Sequence, residues 1–575
     1  MSLAVALLAG AGAGGCAPGG DERKVTSVRR ADRERTGGGL PSEPGAEGCC
    51  GPLLFRAQEL PFRYERGESG AAWPVEVTGG GVGLLDYDGD GDLDLFFAQG
   101  VPLPVRADAS GPNDVLLRND GGGRFVDVSA EVGLVSKGYG QGVTVADYDA
   151  DGDPDVYVTR YGANTLWRND GSAGFHDVAD ETGVGCPLWS LGAAFLDLDG
   201  DGDLDLFVAN YFDFDPNDAP FERTADGAPE YGTPERFVGQ PDVLYRNDGG
   251  GWFRDVTAET GIVDRGRGMG CLAGNLLYEG NVEILVANDA EANSLWAVAG
   301  RGTFENRAAL LGIDLNAAGV AEANMGIARG DTDGDGTLDV MITHFVNEHD
   351  TLWRGHRLGE GGVVFQDGTY AARLGTDSRP MTGWGIVMAD FDLDGHIDIM
   401  VVNGHIRREP SGALYEHDNP PILWHNDGTG RFVNVTASAG PYFQDVHQAR
   451  GLAAGDLDGD GDLDLVVVHH AKNSVVLWNE SPRRGRWLAL DLTGSRGNRD
   501  AIGAMIELDA GGRRLVRAID GGGSYLSSSS RLVHFGLGPT ARVDRATVRW
   551  PSGRSETRAD LPVDGVVHWI EGAPE

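Results

Sequence analysis

Basic residues are scarce in this chain. Against 88 Asp and Glu stand 47 Lys and Arg, a net charge of −41. So acidic a surface repels phosphate backbones, which excludes a nucleic-acid partner. No apolar run reaches the roughly 18 residues that a membrane-spanning helix requires. Sustained helical periodicity is missing throughout. Cysteine occupies five positions, none in a CxxC or zinc-like spacing. Core formers are plentiful, however. Of the 575 residues 41% are hydrophobic, with 12 Trp and 20 Phe, too many for wholesale disorder. The length admits about three or four domains, or one large repeat fold.

Residues 1–15 are apolar and small and run to Cys16. The pattern resembles a bacterial lipoprotein export signal with Cys16 as the lipidated residue. Two features depart from it: no Lys or Arg precedes the apolar run, and Ala13 stands where Leu is usual. The expectation is an export signal at 1–16 and a disordered linker at 17–50. The protein would then reside in the bacterial cell envelope or outside the cell, touching a membrane only through an anchor at Cys16. In an oxidising compartment Cys49, Cys50, Cys186 and Cys271 suffice for two disulfides, whose pairing the spacing leaves open.

One pattern, D-x-D-x-D-G-x-x-D, recurs six times. It places Asp86, Asp88, Asp90 and Asp94 in the first copy and Asp147, Asp149, Asp151 and Asp155 in the second. The third has Asp197, Asp199, Asp201 and Asp205, and the next Asp331, Asp333, Asp335 and Asp339. The last two have Asp390, Asp392, Asp394 and Asp398, then Asp456, Asp458, Asp460 and Asp464. The interval from 197 to 331 is about double the others, and a degraded copy, NLLYEGNVE, begins inside it at Asn275. Two markers keep the same phase. A Gly stands five residues before each loop (Gly81, Gly142, Gly192, Gly270, Gly326, Gly385, Gly451), and a segment of the LWRNDG kind follows it.

Each copy reads as four short strands, which cannot bury both faces alone; copies must stack, and a ring closes the edges. Seven copies predict an all-β, seven-bladed β-propeller over 51–484. The recurrent Gly suits the crowded innermost strand. The seventh copy lacks its last strand, and LLFRAQEL (53–60) is expected to supply it, tying the ring's ends together. Alternating apolar residues and Gly-rich turns over 485–575 predict a small β-sandwich-like domain. Ser527–Ser530 lies in no Gly-x-Ser-x-Gly setting and reads as a hydroxyl-rich turn or edge.

Four carboxylates around a tight turn, with Gly at position 6, suit a hard cation, and flexible all-oxygen loops favour calcium over magnesium. Position 12 separates these loops from an EF-hand. It holds Phe97, Val158, Val208, Ile342, Val401 and Val467 where an EF-hand needs Glu, so each loop runs into a strand and closes with Asp at position 9. About six structural calcium ions are expected. The copy at 275–283, with Leu277 at position 3, is expected to hold none.

These loops and flanking strands resemble FG-GAP/VCBS repeats, as in integrin α-subunit propellers. Residues 498–538 with 543–553 resemble the ASPIC/UnbV domain. The pairing is similar to the cartilage acidic protein family and its bacterial relatives. It implies an extracellular, calcium-binding propeller with adhesion or interaction roles.

Residues arriving at the ends of the second strands share a register: Arg160 and Tyr161, Asn210 and Tyr211, Asn288 and Asp289, His344, Asn403 and His405, and His469 with His470. They are expected around the channel mouth opposite the loops, overhung by the insertion 211–240. There they would take an unidentified carbohydrate or protein ligand, or hold a transition metal if His344, His405 and His469 converge. The leading reading is a non-catalytic interaction module. The alternatives are a polysaccharide lyase or hydrolase working at the mouth and a periplasmic assembly or maturation factor.

Overall fold

Every copy of the repeat lies in one antiparallel sheet, of four strands in six blades and of five in the fourth. In the second copy the strands are Tyr139–Ala146, Asp155–Tyr161, Thr165–Asn169 and Phe175–Asp177, paired in that order. The acidic loop is the turn between its first two strands. Short apolar, β-branched and aromatic segments separated by Asp-, Asn- and Gly-rich turns leave little alternative to this meander. Among the described residues the α-helices are single turns of four residues. The computed structural model describes residues 53–573, apart from 104–112, 136–137, 218–221, 224–226, 228, 301, 360–361, 407–413 and 416. The expected export signal, Cys16, the linker, Cys49 and Cys50 lie outside the described residues.

There are seven such sheets, blades one to seven. Their innermost strands are Val82–Leu85, Tyr139–Ala146, Ser190–Leu196, Gly268–Gly274, Ile327–Gly330, Gly383–Ala389 and Ala449–Gly455. Successive inner strands touch around the circle, and the seventh returns to the first. The recurrent Gly explains how they approach so closely. A Cβ on Gly192 would meet the Met269 carbonyl of the next blade, one on Gly326 the Trp384 carbonyl, and one on Gly451 the Gly80 carbonyl across the closure. Closure follows the expected route. Phe55–Glu59 pairs antiparallel with Val475–Asn479, Phe55 opposite Asn479, as the outer strand of blade seven. Phe55 is 1% exposed and packs on Phe391 and Phe443.

Residues beyond 485 form two facing sheets. One holds Val533–Gly538, Arg486–Thr493 and Val566–Ile570. The other holds Arg513–Ala518, Met505–Ala510, Val543–Arg549 and Ser555–Leu561. Leu488, Leu490 and Phe535 of the first and Ile506, Leu508 and Val548 of the second share one core, a sandwich-like arrangement. That core continues into blades two and three through Tyr148, Tyr157, Phe195 and Leu206.

The division at 484/485 is therefore not a boundary between independent bodies: Gly51–Glu575 is one unit. The domain rests on the acidic loops, with His534 Nε2 3.0 Å from the Gly461 carbonyl and Arg513 donating to the Asp394 carbonyl at 3.0 Å. Between its own strands the chain leaves the sandwich and runs along the hub. Gly521–Gly522 adds to the inner strand of blade four, and Ser527, expected at a turn or edge, is 4% exposed among the inner strands of the propeller. Residues 485–575 hold 12 Arg and 11 Asp and Glu, so the net negative charge lies upstream of them.

Candidate metal loops and strand-end residues

The first loop shows how the sequence shapes the site. Asp86 Oδ1 accepts from the backbone N–H of Gly89 at 2.8 Å and of Asp90 at 3.1 Å, and its Oδ2 accepts from Gly91 at 3.0 Å. Gly89 and Gly91 sit at φ +73° and +97°, where a side chain would be strained. The last loop repeats the pattern with Asp456 accepting from Asp460 and Gly461. Position 1 thus curls the loop round its own carboxylate and leaves positions 3 and 5 facing it. The ligand atoms of Asp86, Asp88 and Asp90 lie within 4.8 Å of one another, as do those of Asp197, Asp199 and Asp201 and those of Asp331, Asp333 and Asp335. In the second loop the set is Asp147, Asp149 and Asp155, and in the sixth blade Asp392, Asp394 and His425.

Position 9 has a further role. Asp94 accepts from Tyr87 N–H at 3.2 Å with one oxygen and from Asn119 N–H at 2.7 Å with the other, bracing the loop to the third strand. Asp155, Asp205, Asp398 and Asp464 make the same two bonds. Burial pushes these carboxyls up, Asp94, Asp205 and Asp464 to about 8 and Asp155 to about 9, against the lowering effect of those N–H bonds. Buried carboxylates in such numbers require positive charge nearby. Some comes from the chain: Arg499 lies 3.0 Å from Asp147, Arg354 2.7 Å from Asp333 and Arg484 3.1 Å from Asp392. Even so, Oδ1 of Asp147, Asp149, Asp392 and Asp462 are buried without a hydrogen-bond partner among the described residues. Convergent oxygens with unmatched lone pairs fit a hard divalent cation.

The degraded copy is built differently. Leu277 at its third position is 2% exposed within a hydrophobic cluster, and Glu283 accepts from Leu276 and Leu277 N–H at 2.8 and 3.0 Å. Over the loop, the guanidinium of Arg357 lies 4.4 Å from the ring centre of Tyr278.

A contact that spacing alone did not reveal joins the blades. In the NDG turn of blade two, Asn169 Nδ2 donates to the Tyr87 carbonyl in the acidic loop of blade one at 2.9 Å, while Oδ1 accepts from Gly171 N–H at 3.1 Å. Asn119, Asn247, Asn426 and Asn479 reach back to Leu457, Tyr148, Thr332 and Phe391 in the same way. The recurrent Asn of the LWRNDG segments was the available signal.

The strand-end residues do not form an open mouth. Of Arg160, Tyr161, Asn210, Tyr211, Asn288, Asp289, His344, Asn403, His405 and His469, all but half-buried Tyr161 are buried. Arg160 pairs with Asp114 and donates to Thr165 at 2.8 Å, and Tyr161 donates to the Phe214 carbonyl at 2.9 Å. Asn210 accepts from Ser190 at 2.7 Å, and Tyr211 bonds the Asp289 carboxylate. Asn288 and Asn403 donate to the carbonyls of Ala292 and Pro420 at 3.0 and 2.9 Å. His344 meets Asn324 at 2.9 Å, His405 meets Thr382 at 2.9 Å and His469 meets Tyr442 at 2.9 Å; His470 lies 2.6 Å from the Gly79 carbonyl. The three imidazoles thus each bond a side chain near their own blade, not one another. Polar side chains that end a buried strand must find partners, and the connecting loops supply them. The insertion is part of this packing, Phe212 stacking on Phe237 at 4.4 Å and meeting Trp189 edge-on at 4.8 Å. Cys186 and Cys271 are both buried free thiols.

Residues 86–158, 147–208 and 413–467 match the FG-GAP-like repeat family, and residues 494–575 match the ASPIC and UnbV family. The chain is an FG-GAP-repeat propeller with a C-terminal ASPIC/UnbV domain, as its loops and last domain led us to expect. It is similar to Cartilage acidic protein 1. The Mus musculus protein is 28% identical over 323 residues, covering 53% of this chain and 45% of that protein. The Homo sapiens protein is 29% identical over 322 residues, covering 53% and 44%. The match thus spans about half this chain and less than half of either relative. Among solved structures, an Agrocybe aegerita lectin described as recognising non-reducing terminal N-acetylglucosamine is 16% identical. It covers 68% of this chain and 86% of its own, with a TM-score of 0.37, too low to carry an argument.

Proposed function

We propose that this protein is an exported, calcium-stabilised propeller that serves as a non-catalytic interaction module. The observation that carries the reading is the convergence of loop carboxylates to within 4.8 Å in repeat after repeat, on backbone N–H groups that pre-form the cradle. Calcium would be held by positions 1, 3 and 5, with position 9 closing the loop. Its charge would offset the repulsion among these carboxylates. Bound there, the ion would supply structural cross-linking, holding together the carboxylates of one short turn and, in blade six, Asp392 and Asp394 with His425 of the third strand, so loading stiffens a blade. The buried, internally bonded strand-end residues support a scaffold rather than a reaction centre. Export rests on the pattern of residues 1–16 alone, because Cys186 and Cys271, expected in disulfides, are unpaired thiols.

Metal analysis of the dialysed protein tests the central claim. About six calcium ions per chain are expected. Asp331→Ala with Asp335→Ala should remove about one, and Leu277→Ala should remove none. A chain that retains no calcium at millimolar free ion would refute the reading, since extracellular sites commonly have Kd values of about 10⁻⁴–10⁻³ M.

A further inference from the structure

The hub of the propeller is an interaction surface, and its occupant is the chain's own Asp520–Ser530 finger. Inner strands facing an open channel would leave backbone groups unpaired; the finger supplies partners. Ser528 exchanges bonds with blade one, donating to the Val82 carbonyl at 2.8 Å and accepting from Leu84 at 3.0 Å. Leu526 accepts from Val143 of blade two at 2.9 Å, and Ser524 accepts from Ile327 of blade five at 2.9 Å. The Ser524 hydroxyl donates to the Leu452 carbonyl of blade seven at 2.7 Å. Tyr525, fully buried, meets Trp384 of blade six edge-on at 4.9 Å and donates to the Thr78 carbonyl at 2.9 Å.

One blade receives more than the rest. On blade four the finger becomes a fifth strand, with Gly522 opposite Leu272 and Gly521 opposite Ala273. Beside it Asp520 pairs with Arg329 of blade five at 2.9 Å, and the same guanidinium donates to the Asn275 carbonyl of blade four at 2.8 Å. Blade four is also where the Asn latches fail. Each latch reaches back to the preceding blade. Blade four has Val298 opposite Phe304 where blade two has Asn169 opposite Phe175, and blade five has Gly355 in the matching place. Neither side chain carries an amide, so blade four lacks the Asn latch on both sides, although toward blade five its Tyr278 hydroxyl accepts from Leu338 N–H at 2.5 Å, and its loop lacks the carboxylate set as well.

We propose that the finger is the clamp that holds blade four in the ring, standing in for its two missing latches. The finger's backbone agrees with a clamped segment. Ser524 and Leu526 are held at φ +49° and +54°, a left-handed conformation that persists only where the surroundings enforce it.

Hydrogen exchange on the full chain tests this with Asp520→Ala, and with Asp520→Asn should the first variant fold poorly. Exchange in Gly268–Gly274 and Ser294–Gly300 should quicken at least tenfold, with little change in Thr165–Asn169 of latched blade two. Adding Val298→Asn, which restores an amide toward Leu198 of blade three on the same cluster, should recover at least half of the lost protection. Equal loss in all seven blades, no loss in blade four, or no recovery with Val298→Asn would each overturn the proposal.

Discussion

Replacing Asn169 by Ala isolates one inter-blade latch. The side chain is 0% exposed and makes two bonds, to the Tyr87 carbonyl at 2.9 Å and from Gly171 N–H at 3.1 Å. A net hydrogen bond is worth about 1 kcal/mol, and a buried group left without a partner costs about 1–3 kcal/mol. The bond to Tyr87 is only partly buried, so water can replace some of what that carbonyl loses, and the variant should lose about 1–3 kcal/mol. Val298→Ala is the control, because Val298 occupies the same register in blade four and carries no amide. Trimming that half-buried side chain should cost about 1 kcal/mol or less. Urea unfolding gives the midpoint shift, and hydrogen exchange across blades one and two shows whether the loss is local. Equal losses in the two variants, or an Asn169→Ala effect under about 0.5 kcal/mol, would mean that the amide does not join the blades.

Chelation should lower the melting temperature by well over the ~2–4 °C that 1 kcal/mol is worth in a domain of 150–250 residues; an unchanged melt would remove structural calcium from the account. Phe55→Ala, at the strand that closes the ring, should cost about 3–5 kcal/mol, and a loss below about 1 kcal/mol would show that closure does not depend on it. Three buried imidazoles should make an acid-sensitive contribution, opposite in sign to that of buried carboxyls such as Asp289 and Asp350, which burial pushes up to about 7. Burial holds His469 down at about 3 and His344 and His447 at about 4. Unfolded imidazoles take up protons near 6.5, so the unfolded state binds more protons there as pH falls from about 6.5 to 4 and the stability they contribute drops. At pH 5 one such His costs about 2 kcal/mol relative to pH 8; His469→Gln should flatten that slope, and an unaltered slope would disprove its origin. Cys186 and Cys271 should resist a thiol reagent until the protein unfolds; rapid labelling of the native protein would contradict their burial.

The ring was legible because it is written as spacing. The Asp loops, the Gly five residues upstream and the NDG turns each mark one fixed place in a blade, and LLFRAQEL could be matched to the strand missing after LWNE. The hub was not legible. Gly521–Ser530 has no periodicity of its own, and its partners are carbonyls and N–H groups of distant strands, which composition does not encode. The strand-end residues misled for a related reason. Arg160, His344 and His469 share a register, but whether a polar side chain faces solvent or a neighbouring loop depends on packing. Likewise Asp at position 9 looks like a fourth ligand in sequence, while its two bonds to backbone N–H show that it also shapes the blade.

The pairing of Phe55–Glu59 with Val475–Asn479 fixes an order of events during synthesis. The segment made first has its partner roughly 420 residues later, which at ribosomal speeds of about 5–20 residues per second is a delay of roughly 20–80 s. Until then the nascent chain is an open stack of sheets with an orphan strand at its leading end. The circle can shut only after Val475–Asn479 has been made, and the finger that lines its axis is made later still.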